Sequence, residues 1–198
     1  MVRNFLAIAC VVSQSVMLTG CDGALSSSAV RQVLSRTTAV LERFDRYMHQ
    51  YDYKSLSPTM SRQLEHWLNQ ELNKTPRITG KRILTRMKSD ASIDGFGDEN
   101  GNGRIDPADK RLFKIEIDTY NNRIIATAEG GSTYGTRPRT SGFMTGFFVA
   151  SLMNRQRAAG VTQSHFANRS VYRTSSSSSR GYRSARGRAR SGGVFRGK

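Results

Sequence analysis

Five oxygen-bearing side chains recur within one short stretch, and they restrict its conformation more than any other feature of the sequence. They occupy positions 1, 3, 5, 9 and 12 of the stretch, which are Asp98, Asn100, Asn102, Asp106 and Asp109. Gly103 at position 6 has no Cβ and permits the sharp turn that brings such side chains to one centre. With the carbonyl of Arg104 at position 7, the set supplies most of the six to eight oxygens that Ca²⁺ takes at about 2.3–2.6 Å. The spacing predicts a Ca²⁺ site over residues 98–109, and the alternative is a metal-free Asn-Gly turn.

The same stretch resembles the calcium loop of EF-hand proteins. Its ending, Gly-Arg-Ile-Asp-Pro-Ala-Asp, is similar to the loops of dockerin-type repeats, which also have Asp at position 12. The resemblance implies Ca²⁺ as the cofactor, with Asp98, Asn100, Asn102, Arg104, Asp106 and Asp109 as its ligands. Gly95 and Gly97 precede the loop and disfavour an entering helix, and the motif occurs once. We therefore expect a single half-hand, with Ile105 packing the loop on a hydrophobic core.

The N-terminus has the organisation of an export signal. Arg3 supplies the positive end, residues 5–18 are largely apolar, and Leu18-Thr19-Gly20-Cys21 follows. This tetrad resembles the lipobox of bacterial lipoproteins, in which the preceding peptide is removed and the Cys is diacylated. The resemblance implies a signal peptide over residues 1–20, acyl chains such as palmitate on Cys21 and a tether over residues 21–28. Two acyl chains suffice for stable membrane anchoring. The alternatives are a chance Cys after an apolar helix and an uncleaved anchor.

Asp22 follows the Cys directly and resembles the inner-membrane retention signal of enterobacterial lipoproteins. It implies a protein held at the cell membrane, on the periplasmic face of the inner membrane.

Charge is distributed very unevenly along the chain. Residues 130–198 contain no Asp or Glu but thirteen Arg or Lys, within a total formal charge of +16. Residues 159–198 are rich in Arg, Ser and Gly and poor in apolar side chains, which predicts a disordered tail. On an exported protein such cations favour anionic lipid or another envelope polyanion. The residues assigned to this role are Arg155, Arg157, Arg180, Arg183, Arg186, Arg188 and Arg190. The alternatives are a solvated tail without a partner and, if the chain is not exported, a nucleic-acid-binding protein.

Hydrophobic periodicity predicts an α+β fold. Two amphipathic helices are indicated from Ala29 to Tyr51 and from Pro58 to before Pro76, and they form a helical hairpin. Strands are predicted over residues 113–118 and 123–128, with Phe113, Ile115, Ile117 and one of Ile124 or Ile125 facing inward. This β-hairpin follows the calcium loop and packs with the helical hairpin in a domain over residues 29–129. A linker over residues 130–141 and a short apolar helix over residues 142–158 follow, and that helix is expected either at a membrane interface or docked on the protein.

No arrangement of residues predicts catalysis. The histidines are scattered, no Gly-rich phosphate loop follows a strand, and no zinc-type cluster is present. The sequence therefore predicts a structural or interaction role for a lipid-anchored cell-envelope protein with one calcium-binding loop, and not an enzyme.

Overall fold

A single six-stranded sheet covered by helices organises the chain. The computed structural model describes residues 24–138, 143, 146–167 and 169–173. Within them the helices are α1 (Ser27–Gln50), α2 (Pro58–Leu72), α3 (Phe147–Ala158) and α4 (Gln163–Ala167), and the strands are β1 (Ile83–Met87), β2 (Ile93–Gly97), β3 (Lys110–Asp118), β4 (Arg123–Ala128), β5 (Thr133–Thr136) and β6 (Tyr172–Arg173). The strands lie in the order β1-β2-β3-β4-β5-β6. All neighbours are antiparallel except β5 and β6, so the predicted α+β class is confirmed.

Side-chain caps fix where the two long helices begin. The hydroxyl of Ser26 accepts a hydrogen bond from the amide of Ala29 at the start of α1. Ser57 caps α2 in the same way, and Pro58 occupies the first turn, where its missing N–H leaves no hydrogen bond unmade. Both helices turn an apolar stripe to the sheet, where Leu34, Phe44 and Leu64 are fully buried.

The inward face of the sheet carries the apolar residues that pack under the helices. α1 lies against β4 and β5, α2 lies against β1, and α3 lies against α1. Phe113, Ile115 and Ile117 of β3 belong to the core, as the alternation predicted. Ile124 is the inward residue of β4, because it lies opposite Ile117. Ile125 is buried on the other face.

A row of side chains from α2 covers the outer edge of β1. The backbone amides of Ile83, Thr85 and Met87 donate to the side chains of Asn73, Asn69 and Glu65, each at 2.7 Å. These acceptors are spaced four residues apart on the helix, and the donors two apart on the strand. Because an uncovered edge strand presents unpaired amides to other chains, α2 closes this edge of the sheet.

The folded unit extends beyond the domain boundary predicted at residue 129. β5 lies inside the predicted linker over residues 130–141 and pairs with β4. Within the segment predicted as a disordered tail, α4 and β6 are formed, and β6 pairs with β5. The composition of residues 133–136, Thr-Tyr-Gly-Thr, gave no apolar run, so the strand depends on pairing with a neighbour that the sequence does not reveal.

α3 docks on the protein, which settles the alternative left open for the apolar segment over residues 142–158. Phe148, Val149 and Leu152 are completely buried in the common core, and the rings of Phe44 and Phe148 meet at 5.5 Å. The side-chain amide of Gln156 donates to the carbonyl of Ile117 at 2.8 Å. None of the helices among the described residues combines the length and the apolar character that crossing a membrane requires.

The outer face of the sheet is partly covered by the segment that contains α4. Phe166 is buried there, and Arg123 donates to its carbonyl at 3.0 Å. Glu116 on β3 binds this segment through His165, at 3.1 Å, and through Arg169. Burial raises the pKa of Glu116, but the hydrogen bonds from Arg169 and His165 and the charge of Lys114 outweigh it and hold that pKa below its usual value of 4.5.

Candidate metal centre

The predicted calcium loop connects two strands of the sheet instead of two helices. It leaves β2 at Gly97 and enters β3 at Lys110, and these two residues lie opposite each other in the ladder. The packing of the core explains why one residue of the entering strand, Gly95, is a glycine. A Cβ at Gly95 would lie 2.1 Å from Cζ of Phe113, so the core ring of Phe113 requires a glycine there. The expectation that no helix enters the loop is confirmed.

Two glycines and two Asn side chains shape the turn itself. Gly101 and Gly103 both have φ of 73°, a left-handed conformation that glycine adopts without steric cost. The side-chain oxygen of Asn100 accepts from the amide of Asn102 at 3.1 Å, and that of Asn102 accepts from the amide of Arg104 at 2.7 Å. These local hydrogen bonds hold both Asn side chains on the concave side of the loop.

The side chains at positions 3, 5 and 9 meet at one point. The side-chain amides of Asn100 and Asn102 both donate to Oδ2 of Asp106 at 2.8 Å. The hydrogen bond from Asn100, with those from the amide of Ala108 and from Asn102, holds the pKa of Asp106 below its ordinary value of 3.8. Asp106 is therefore ionised at neutral pH, with its carboxylate among the two Asn side chains.

Asp98, at position 1, is the most buried polar side chain of the loop. It is only 4% exposed. Its Oδ2 accepts from the amide of Gly103 at 3.0 Å, which turns the carboxylate into the loop. Its Oδ1 is buried and has no hydrogen-bond partner. A buried carboxylate oxygen without a partner is costly, and a cation bound beside it removes that cost.

Asp109, at position 12, joins the two ends of the loop. Its Oδ1 accepts from the amide of Glu99 at 3.0 Å, and its Oδ2 accepts from the amide of Asp106 at 2.9 Å. A carboxylate has about four lone-pair sites, so each oxygen keeps the capacity for one further partner. Ile105 is half-buried and lies outside the hydrophobic core, so the expectation that it packs the loop on the core is not met.

Basic residues from the segment before β2 contact the loop, and no local pattern in the sequence predicted these contacts. Lys81 forms an ion pair with Glu99. The carbonyl of Arg82 accepts from the amide of Asp98 at 2.8 Å, and its guanidinium lies 3.2 Å from the place of a Cβ at Gly103. Arg86 reaches the carbonyl of Ile105 at 3.5 Å. β1 therefore positions the loop, because Ile83 lies opposite Gly97 in the register.

The metal ligands predicted for the loop include neutral oxygens as well as carboxylates. Among the described residues, no group of three or more His, Cys, Asp or Glu is arranged to hold a metal ion. In the loop, three of the six predicted ligands are carboxylates, two are Asn amides and one is the Arg104 carbonyl. Such neutral oxygens are ordinary ligands for Ca²⁺.

The residues predicted to bind an anionic surface divide into three groups. Arg155 is turned into the protein, where its guanidinium donates to the carbonyl of Leu56 at 2.6 Å and to the Ser61 hydroxyl at 3.1 Å. Arg157 is exposed at the end of α3. The acylation residue Cys21 and the tail residues Arg180, Arg183, Arg186, Arg188 and Arg190 lie outside the described residues.

Comparison with known proteins gives no match to a family model, a curated protein or a solved structure.

Proposed function

We propose that this protein is a lipid-anchored cell-envelope protein whose β2–β3 loop binds one Ca²⁺ ion. The observation that carries the calcium assignment is the orphaned Oδ1 of Asp98, buried at the first ligand position. Asn100, Asn102 and Asp106 belong to the same loop, where both Asn side-chain amides donate to Oδ2 of Asp106. The anchoring rests on the sequence alone, on the tetrad that ends at Cys21.

The role of the ion is to stabilise the loop and the strand that follows it. A cation bound in the loop would attract the carboxylates of Asp98, Asp106 and Asp109 and so join the two ends of the loop. A bound ion would use the free lone pairs of these side chains and the oxygens of both Asn residues, which must turn away from Asp106. Affinity in the range of about 10⁻⁵ to 10⁻³ M is expected, since the half-hand is single and Asp at position 12 is shorter than Glu.

Thermal unfolding in Ca²⁺ and in chelator tests the assignment. The mature chain from residue 21, carrying Cys21→Ser, would be melted at millimolar Ca²⁺ and in EGTA. An ion present at 100 times its Kd adds about 2.7 kcal/mol to the free energy of unfolding. In a chain of this size that corresponds to an increase in Tm of roughly 5–10 °C.

Two matched variants identify the residues responsible. Asp98→Ala should abolish the increase in Tm, because it removes the buried carboxylate. Glu99→Gln changes the adjacent acid, which points outward to Lys81, and should retain the increase. An identical Tm in Ca²⁺ and EGTA for the unmutated loop would mean that residues 98–109 form only a metal-free turn.

Metabolic labelling with a fatty-acid probe tests the anchor independently. The wild-type chain should incorporate the label and fractionate with membranes, and Cys21→Ser should lose both properties. A wild-type chain that takes up no label and fractionates with cytosol would contradict the lipoprotein assignment.

A further inference from the structure

The N-terminal half of α1, which the proposed anchor precedes in the sequence, and the calcium loop lie at the same end of the folded domain. Arg36, in the first half of α1, donates to the carbonyls of Lys74 and Pro76 just after α2. Asn73 in turn bonds to Ile83, where β1 begins. Ile83 lies opposite Gly97, the last residue before the loop. A continuous chain of contacts therefore links the N-terminal half of α1 to the loop.

The tether is too short to place this end far from the membrane. The helix α1 is capped by Ser26, only five residues after Cys21. An extended chain spans at most about 3.3–3.6 Å per residue, so an acylated Cys21 can lie at most about 18 Å from the cap. The strand β6 runs parallel to β5, toward the opposite end of the sheet.

Several exposed cations lie at the same end of the domain as the calcium loop. Three cations at this end are held in ion pairs with carboxylates: Lys74 with Glu71, Lys81 with Glu99 and Arg111 with Glu129. Exposed cations that have no ion pair among the described residues include, at this end, Arg77, Arg82, Arg104 and Lys110. Their main counter-charges at this end are the three carboxylates of the loop, from Asp98, Asp106 and Asp109.

We propose that this end of the domain is a docking surface for anionic phospholipid headgroups, and that Ca²⁺ in the loop strengthens the docking. The inference rests on the proposed function, since both the tether and the ion belong to it. Without the ion, the loop carboxylates offset most of the charge of the four cations. A bound Ca²⁺ cancels two of those three negative charges, and the cations then face the headgroups with little compensation. The anchor holds the same surface at the membrane, so the two attachments reinforce each other.

Binding to vesicles tests the surface with the full mature chain carrying Cys21→Ser. The vesicles would contain about one-third phosphatidylglycerol in phosphatidylcholine, at a fixed ionic strength near 0.1 M where exposed charges are screened over about 10 Å. Each cation near an anionic surface strengthens binding about fivefold at most. We therefore expect neutralisation of three of them, Arg77→Gln, Arg104→Gln and Lys110→Gln together, to weaken binding in Ca²⁺ by roughly tenfold or more. Phosphatidylcholine vesicles alone should bind neither protein measurably.

A matched triple variant at the other end is the control. Arg46, Arg62 and Lys88 are exposed there, and their replacement by Gln removes the same net charge. It should weaken binding less than threefold, because these side chains face away from the surface. Equal losses from the two triple variants would mean that net charge alone draws the protein to the vesicles, and would overturn the docking surface.

The calcium dependence separates failure of this inference from failure of the proposed site. Ca²⁺ should tighten vesicle binding roughly tenfold through two added charges, and Asp98→Ala should abolish that gain. Asp98→Ala also reports any effect of Ca²⁺ on the lipid itself. Both triple variants should keep the increase in Tm with Ca²⁺. If that increase is present but vesicle binding ignores Ca²⁺, the calcium site stands and the calcium-strengthened docking is refuted.

Discussion

Asn73→Ala should destabilise the fold strongly, because this side chain closes the edge of the sheet at the start of β1. Its Oδ1 accepts from the amide of Ile83, and its Nδ2 donates to the carbonyls of Ile83 and Asn69, all at 2.7 Å. Ile83 is 1% exposed, so the variant leaves a backbone donor and acceptor with little access to water. An unsatisfied buried polar group costs about 1–3 kcal/mol. Since the bonds are partly buried, we expect a total loss of about 2–3 kcal/mol, which lowers Tm by roughly 5–10 °C.

Urea unfolding at equilibrium is the assay, with Gln70→Ala as the control. Gln70 lies on the same helix, is exposed and contacts no strand amide, so its replacement by a better helix former should change the free energy of unfolding by less than about 0.5 kcal/mol. The unfolding slope should stay the same in both variants, because neither changes the area exposed on unfolding. A loss for Asn73→Ala within about 0.5 kcal/mol of the control would refute the claim that α2 side chains stabilise the edge of β1.

Two further predictions concern ionic contacts that hold separate parts of the chain together. Arg36 donates to four carbonyls at and just after the end of α2, those of Glu71, Leu72, Lys74 and Pro76. Arg36→Met should therefore lower the free energy of unfolding in urea by about 2 kcal/mol. Arg46→Met, on the exposed face of the same helix, should change it little. Because the pKa of Glu116 lies below its unfolded value near 4.5, its ionised form contributes stability above that pH and loses it as the pH falls through the folded pKa. Glu116→Gln should therefore be less stable than wild type at pH 7, and the two should converge in acid. A difference that stays constant from pH 7 to pH 3 would contradict the ionic role of Glu116.

The local signals in the sequence predicted the long elements well. Ser57 followed by Pro58 located the start of α2, because a hydroxyl cap and a fixed φ act within a single turn. The alternation of apolar and charged residues before the turn at residues 119–122 predicted the hairpin, and β4 covers the predicted residues 123–128. These features depend on neighbours close in sequence, so periodicity was sufficient to find them.

The sequence could not reveal contacts between distant segments. No strand was predicted over the residues of β1, and its strand form depends on pairing with β2 and on the side chains of α2. The domain was predicted to end at residue 129, where the second predicted strand is followed by a linker. The local pattern of elements, however, says little about whether Phe148 or Leu152 fills a core that other segments leave open.

Some features of the candidate metal centre could be predicted from the sequence, and others could not. Spacing alone selected six ligand positions, and Gly95 and Gly97 disfavoured a helix before the loop. The burial of Asp98, its orphaned oxygen and the basic residues beside the loop depend on β1, so no pattern within residues 98–109 could predict them.

Equilibrium dialysis with radioactive calcium tests the central claim most directly, because it counts bound ions without relying on a change in stability. The mature Cys21→Ser chain should bind one Ca²⁺ per molecule with a Kd between about 10⁻⁵ and 10⁻³ M. Glu99→Gln should bind the same amount, and Asp98→Ala should bind none over that range. Binding that is absent below millimolar free Ca²⁺, or that is unchanged in Asp98→Ala, would contradict the assignment of the loop as a calcium site.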